Sequence, residues 1–295
     1  MRLLNILKEE NIIKVSPDDH LSSALAKLST SHDAAFVFDG DKYLGVVNPY
    51  YCVVKSSYPG NTKVAHCLTP PPHIYVNYPL SKVAELFNES KIHYLPVFDP
   101  EPRGIQGKPT EKFLGIISAR RVINHIKTLS FFKIKIRDMI RFKKPPVTLL
   151  DNSSVAEALN LFKRYKFSKL VVVNSERKLK GVLSYYDLVS FMVMPKDKEK
   201  RGERKGNKVH LTNQTIKYFY KTYVLTMDEN KRLYEVIDLI INKKIGSVII
   251  TDSEKHPINI ITTKDLLKFY VREEKGGFFK QVSSGFGRFL SKKKT

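Results

Sequence analysis

The stretch Gly181-Val182-Leu183-Ser184 decides the fold of this chain, because the chain contains four versions of it. A small or polar residue precedes two apolar residues, and a short polar residue then ends a strand and begins a helix. The first residues of the four versions lie 70, 66 and 78 positions apart. The other three versions are Gly45-Val46-Val47-Asn48, Gly115-Ile116-Ile117-Ser118 and Asn259-Ile260-Ile261-Thr262. Such spacing predicts an internal repeat, in which neighbouring units bury one another's apolar faces.

The third repeat shows the order of elements most clearly. A β-prone run, Val147 to Leu150, precedes a helix that begins at Ser154, where Glu157 completes a capping box. An apolar strand, Leu170 to Val173, then leads through a polar turn into the Gly181 strand and a closing helix. Apolar residues at helical spacing place one stripe on the first helix, namely Val155, Ala158, Leu159 and Phe162. The unit therefore reads β-α-β-β-α.

The other repeats follow the same order. Repeat 1 starts at Val15, repeat 2 at Ile74 and repeat 4 at Val224, and repeat 2 has a longer hairpin loop at 100–111. The fold class we expect is α/β (α+β), and a length of 295 residues favours about two domains. The predicted divisions are 1–130 with repeats 1 and 2, 131–270 with repeats 3 and 4 and a basic linker at 195–210, and a basic aromatic tail at 271–295.

The chain is strongly basic, with 51 Lys and Arg against 29 Asp and Glu and a net charge of +22. Residues 1–68 carry seven basic and seven acidic groups, so the excess lies after the first repeat. A surface of this charge suits anionic partners, which are nucleotides, nucleic acids or anionic lipids. The charge alone does not choose among them.

Other features narrow the class of protein. Cys52 and Cys67 are too few for a disulfide framework, which favours reduced thiols in an intracellular protein. The eight histidines show no metal-ligand spacing, so we assign no metal. Charge interrupts the first ten residues too early for a signal peptide, and no apolar run approaches the length of a membrane span. We expect a cytoplasmic protein with no catalytic cofactor and, without a P-loop or a nucleophile elbow, no enzyme activity.

The order of elements and the ending Gly-apolar-apolar-Ser/Thr-x-x-Asp resemble the cystathionine-β-synthase-type (CBS) domain over residues 12–270. The resemblance implies that repeats pair about a pseudo-twofold axis into Bateman modules, with repeats 1 and 2 in the first module and repeats 3 and 4 in the second. It also implies a regulatory or sensor protein that binds an adenosine-containing ligand in the cleft between paired repeats. The expected ligand is AMP, ADP or ATP, with S-adenosylmethionine as a further candidate.

Two motifs carry the predicted ligand site. Ser184-x-x-Asp187 and Thr262-x-x-Asp265 each begin a helix, where free N–H groups attract anions. By the resemblance, Asp187 and Asp265 would hold ribose hydroxyls, and Ser184 and Thr262 would lie near phosphate. The same spacing also describes a plain helix cap, so the residues alone leave both roles open.

Three further residues are predicted to line the same cleft. Lys264 lies inside the second motif, where it would add charge near phosphate or remain a solvated first-turn lysine. Thr222 and Lys144 precede the first strands of repeats 4 and 3, at positions that contact base or ribose in the family. A lysine at position 144 would favour ligands with additional phosphates.

The first module departs from the pattern. Repeat 1 has Asn48 and Tyr51 in place of Ser/Thr and Asp, and repeat 2 keeps Ser118 but has Arg121 in the Asp position. Neither Tyr nor Arg accepts two ribose hydroxyls as a carboxylate does. We therefore expect nucleoside binding mainly in the second module, with Ser118, Arg120 and Arg121 as candidate phosphate contacts or as plain surface charge.

Two segments outside the repeats allow a second interpretation. The linker at 195–210 has seven basic and three acidic residues, and the tail combines lysines with a helical stripe of aromatic residues. Either a solvated linker or contact with RNA or DNA fits the first segment. The tail fits docking on protein, stacking on single-stranded bases or peripheral contact with a membrane. The alternative function is thus a nucleic-acid-binding protein, and a homodimer through module faces is a further expectation.

Overall fold

A computed structural model gives the structure of most of the chain, and each repeat forms a three-stranded sheet of its own. The described residues are 3–28, 33–90, 92–100, 111–141, 143–193 and 212–276. The helices that accompany the sheets carry the apolar stripes expected from the sequence. Leu233, Val236, Ile237 and Ile240, for example, are all fully buried in repeat 4.

The elements are numbered here in chain order. Repeats 1 and 2 contain β1 (Lys14–Val15), α1 (Leu21–Ala26), β2 (Ala35–Asp39), β3 (Lys42–Val47), a π-helical turn (Tyr50–Lys55), β4 (Ile74–Tyr75), α2 (Leu80–Glu89), β5 (Tyr94–Pro100), β6 (Glu111–Ser118) and α3 (Ala119–Ile126). Repeats 3 and 4 contain α4 (Ile136–Ile140), β7 (Thr148–Leu150), α5 (Val155–Tyr165), β8 (Lys169–Val173), β9 (Leu179–Ser184), α6 (Tyr185–Val193), β10 (Thr226–Asp228), α7 (Leu233–Asn242), β11 (Ser247–Thr251), β12 (Pro257–Thr262) and α8 (Thr263–Glu274).

The four sheets share one topology, which confirms the predicted fold class. In each sheet the first strand runs parallel to the second, and the second and third form an antiparallel hairpin. The first strand of repeat 4 begins at Thr226, two residues after the predicted start at Val224. Thr226 pairs with Ile249 in the parallel ladder, whereas Val224 packs its side chain between the sheets of repeats 3 and 4.

In three of the four repeats, the third strand also receives backbone contacts from the paired repeat. The residues just before the first strand of a repeat are called its leading segment. Lys8, in the leading segment of repeat 1, bridges Ile116 of repeat 2, and Thr69, in that of repeat 2, bridges Val46 of repeat 1. Lys221, in the leading segment of repeat 4, bridges Val182 of repeat 3 in the same way. These crossings bind repeat 1 to repeat 2 and repeat 3 to repeat 4.

The apolar cores join the repeats in a second direction. One core combines helices of repeats 2 and 4, including Phe87 and Ile123 with Leu266, and another combines repeats 1 and 3, including Leu21 with Phe162. Aromatic rings fill the contact between the sheets of repeats 1 and 2, where Tyr43 and Phe113 stack 5.8 Å apart. All four repeats therefore meet at the centre of the molecule.

Several sequence predictions fall outside the described residues. The linker at 195–210, most of the loop at 100–111 and the tail from 277 onward belong to this group. Helix α8 runs on through Val271 to Glu274, past the predicted start of the tail at residue 271. None of the helices within the described ranges is long and apolar enough to cross a membrane.

Candidate functional site

A cavity of about 240 Å3 lies where the four repeats meet. The beginnings of two helices line it, with residues 118–120 at α3 and residues 262–264 at α8. Tyr186 of α6 and the starts of the second strands supply the rest of the wall, with Asp33, His93, Lys169 and Gly246 coming from repeats 1 to 4 in turn. Because helix N-termini present free N–H groups, the cavity is built to receive negative charge.

Three cationic side chains strengthen this preference. Arg120, Lys169 and Lys264 all line the cavity. Nζ of Lys169 donates to Oγ of Ser247 at 2.9 Å, and Lys264 donates to the carbonyl of Ser90. Burial lowers the pKa of Lys169 to about 8, an effect that nearby Lys221 and Arg120 reinforce and Asp187 opposes. Lys169 is therefore charged at neutral pH and close to losing its proton.

Three of the residues that line the cavity each have a buried polar atom with no hydrogen-bond partner among the described residues. These atoms are Oδ1 of Asp33, Nε of Arg120 and Oγ1 of Thr263. Buried polar atoms are nearly always hydrogen-bonded in folded proteins, because leaving one without a partner costs about 1–3 kcal/mol. The wall around the cavity therefore carries a local cost in stability.

One acidic residue fixes the wall between repeats 1 and 2. Oδ2 of Asp33 accepts from the backbone N–H of His93 at 2.6 Å and lies 2.7 Å from its ring Nδ1. The carbonyl of Asp33 accepts from the side-chain amide of Asn48 at 2.6 Å. Asn48, which replaces the Ser or Thr of the motif in repeat 1, thus holds this wall in place.

The two predicted ribose carboxylates both lie in helix-capping positions. Oδ2 of Asp187 accepts from the backbone N–H of Ser184 at 2.8 Å. Oδ2 of Asp265 accepts from the backbone N–H of Thr262 at 2.9 Å and from its hydroxyl at 2.6 Å. The capping geometry expected from the spacing is present in both motifs. It leaves the second oxygen, Oδ1, of each carboxylate for other contacts.

A lysine from the opposite repeat occupies each remaining oxygen. Nζ of Lys143, in the leading segment of repeat 3, lies 2.5 Å from Oδ1 of Asp265 in repeat 4. Nζ of Lys221, in the leading segment of repeat 4, lies 3.2 Å from Oδ1 of Asp187 in repeat 3. In both ion pairs, a lysine in the leading segment of one repeat contacts a carboxylate of the paired repeat. The backbone bridges likewise join a leading segment to the paired repeat.

These lysines are neighbours of the residues named from the sequence. Lys144 and Thr222, the predicted residues, are exposed, and the residue before each makes the contact with the carboxylate. The sequence signal was present, because both leading segments carry a lysine at this place. Which of two adjacent side chains faces the carboxylate depends on the backbone register across two repeats, which local sequence does not encode.

In repeat 2, the residue at the position of Asp187 and Asp265 contacts the leading segment of repeat 1. Nη1 of Arg121, in the Asp position of repeat 2, donates to the carbonyl of Ile6 at 3.2 Å and also to that of Leu7. Arg120 lines the central cavity and donates to the carbonyl of Lys244 at 2.9 Å. The Oγ of Ser118 accepts from the backbone N–H of Arg121 at 3.2 Å. Of the two arginines, Arg120 is thus the one placed at the cavity.

Comparison with known proteins agrees with this architecture. A family model described as the CBS domain matches residues 64–128, 136–194 and 217–272, which together are more than half of the chain. The chain belongs to the CBS-domain family. The matched ranges cover repeats 2 to 4 of this CBS protein, and repeat 1 has the same sheet topology in the structure.

Relatives of this CBS protein include characterised and uncharacterised chains. An uncharacterised protein of Methanocaldococcus jannaschii, MJ1225, is 27% identical over 42% of this chain and 45% of its own length. Inosine-5'-monophosphate dehydrogenase of Aquifex aeolicus is 31% identical over 42% of this chain and 22% of its own length. The 5'-AMP-activated protein kinase subunit gamma-3 of Sus scrofa is 22% identical over 71% of this chain and 40% of its own length. The matches thus span less than half the length of these relatives.

A solved structure shares the whole fold. The crystal structure of MJ1225, a protein proposed there to be an archaeal homologue of g-AMPK, aligns with a TM-score of 0.73 and 18% identity. The alignment covers 92% of this CBS protein and 100% of the other chain. At this identity the likeness shows the fold.

Proposed function

We propose that this CBS protein is a non-catalytic regulatory sensor that binds AMP, ADP or ATP between repeats 3 and 4. In this proposal Asp265 and Asp187 hold ribose hydroxyls, and the phosphates extend into the central cavity. Thr262, Thr263 and Lys264 line that cavity one turn or less from Asp265, so a single bound nucleotide would reach both places.

The observation that carries the proposal is the cavity with its cations and helix N-termini. Arg120, Lys169 and Lys264 supply positive charge, and the N-termini of α3 and α8 line the same cavity. Phosphate is the anion that suits converging helix N-termini and an arginine. The name of the related 5'-AMP-activated kinase subunit supports an adenine nucleotide as the ligand.

Titration calorimetry on the full-length chain tests this function. Asp265→Asn and Asp187→Asn should each weaken AMP and ATP binding about ten- to a hundredfold, because a charged hydrogen-bond acceptor is lost. Asp238→Asn is the matched control, since Asp238 pairs with Lys127 at 2.9 Å on helix α7, outside the cavity lining. Unchanged affinity in both site variants, or no binding by the wild type, would contradict the proposal.

The alternative nucleic-acid function has its basis in the linker and the tail, outside the described ranges. A single-stranded RNA and a DNA duplex belong in the same titration series as comparison ligands. Binding of these polymers that falls steeply with salt, together with no binding of nucleotides, would favour the alternative.

A further inference from the structure

Lys143 and Lys221 change the charge of the two ribose-binding sites. Each carboxylate uses one oxygen in its helix cap and shares the other with a lysine from the opposite repeat. A site containing Asp265 alone would be negative and would repel an anionic ligand. With Lys143 at 2.5 Å, the pair is electrically neutral.

We infer that Lys143 and Lys221 are specificity-determining residues, which select phosphorylated adenine nucleotides over uncharged or cationic adenosine compounds. This inference rests on the proposed function, because it concerns the ligand class of the same sites. AMP and ATP carry two to four negative charges, adenosine carries none, and the sulfonium of S-adenosylmethionine is positive. A lysine beside the ribose carboxylate lowers the electrostatic cost of the first class and raises that of the last.

Lys143 should have a larger effect on ligand selection than Lys221, because its ion pair is more buried. The side chains of Lys143 and Asp265 are 29% and 27% exposed, whereas Lys221 is 75% exposed beside Asp187. Screening by solvent weakens exposed ion pairs, so the effect of Lys143 should be larger. Lys221 still contributes to the field in the cavity, because its charge helps to lower the pKa of Lys169.

The ribose and the lysine compete for the same carboxylate oxygen. When ribose hydroxyls bind Oδ1 of Asp265, the ammonium of Lys143 has to leave that oxygen. A phosphorylated ligand offers phosphate oxygens as a new acceptor for it, and adenosine offers none. Binding of adenosine therefore loses the free energy of the ion pair without replacement. Binding of AMP replaces the ion pair with a contact between Lys143 and phosphate.

The test is titration of the full-length protein with AMP, adenosine and S-adenosylmethionine. Lys143→Met should weaken AMP binding about tenfold and leave unchanged or strengthen the binding of the other two ligands. The ratio of AMP to S-adenosylmethionine affinity should thus fall at least tenfold. Lys221→Met should shift the ratio in the same direction by a smaller factor. Lys143→Arg keeps the charge and should therefore keep the wild-type ratio, which would show that loss of charge causes the effect of Lys143→Met.

Lys163→Met is the matched control, since it removes the same charge from an exposed side chain on helix α5, outside the cavity lining. An equal ratio in wild type and Lys143→Met, or equal effects of Lys143→Met and Lys163→Met, would overturn the inference while nucleotide binding stands. If neither the wild type nor any variant binds any of the three ligands, both this inference and the proposed function are overturned. Thermal melting of each variant shows that it is folded before affinities are compared.

Discussion

Lys169 gives the central cavity a charge that depends on pH. Burial lowers the pKa of its ammonium group to about 8, so the group is mostly protonated at pH 7 and mostly neutral at pH 9. A phosphate beside it would stabilise the protonated form, and nucleotide binding would therefore take up a proton near and above pH 8.

We accordingly expect AMP affinity to fall as pH rises from 7 to 9, by no more than about tenfold per pH unit. The phosphate group itself, with its second pKa near 6, stays fully charged over this range. Titration in two buffers of different ionisation enthalpy would measure the proton uptake. Lys169→Met should flatten the profile, and a flat profile in the wild type would show that the ammonium of Lys169 does not face the ligand.

Three of the four strand-to-helix tetrads begin with glycine, because a neighbouring backbone crosses there. A Cβ atom on Gly181 would lie 2.4 Å from the carbonyl oxygen of Lys221, and one on Gly115 would lie 2.6 Å from that of Lys8. Both oxygens belong to leading segments that bridge the next residue of the tetrad. The glycines thus make room for the exchange of segments between paired repeats.

Gly181→Ala should destabilise the protein by about 1–3 kcal/mol, because the methyl group overlaps backbone that cannot move without breaking the bridge to Val182. Urea unfolding would measure the loss. Gly246→Ala is the control, since the nearest atom to its Cβ would be the end of the flexible Lys169 side chain at 3.4 Å. Equal stability of the two variants would show that the backbone at Lys221 can shift to make room for the methyl group at little cost in free energy.

Local sequence was sufficient to predict most of these elements. The run Leu170 to Val173 forms strand β8, and the residues of the predicted stripe on α5 are all buried. Ser118, Arg120, Thr262 and Lys264, all named from the sequence, line the central cavity. These features depend on residues close together in the chain, and the spacing of the motifs was therefore enough to predict them.

Contacts across repeats were beyond local sequence. The ion pairs of Lys143 and Lys221, the use of Arg121 to hold Ile6 and Leu7, and the link between Asp33 and His93 join residues far apart in the chain. Each depends on how whole repeats pack. The ribose role of Asp187 and Asp265 and the domain divisions stay predictions, since no contact described here tests them.

At the scale of the molecule, the helices of the two predicted modules share their cores. Phe87 and Ile123 of repeat 2 are buried together with Leu266 of repeat 4, and Leu21 of repeat 1 with Phe162 of repeat 3. These helical faces lie against each other within one chain, and the homodimer through module faces stays a prediction.

Separating the modules should therefore expose large apolar surfaces. We expect residues 1–130 and 131–270, produced alone, to self-associate or aggregate, and to form a soluble one-to-one complex when produced together. Size-exclusion chromatography with light scattering would measure this. Two separately soluble, monomeric halves with cooperative thermal transitions would contradict the shared-core packing.

The exchange of leading segments also has a consequence for a chain emerging from the ribosome. The leading segment with Lys8, which pairs with β6 of repeat 2, is synthesised before β6. The sheet edge of repeat 2 can therefore be completed as soon as β6 appears. Repeat 3 must wait for Lys221, which follows β9 by nearly forty residues. The nascent protein thus holds an unpaired strand edge through the translation of the basic linker, and such an edge is open to pairing with other chains.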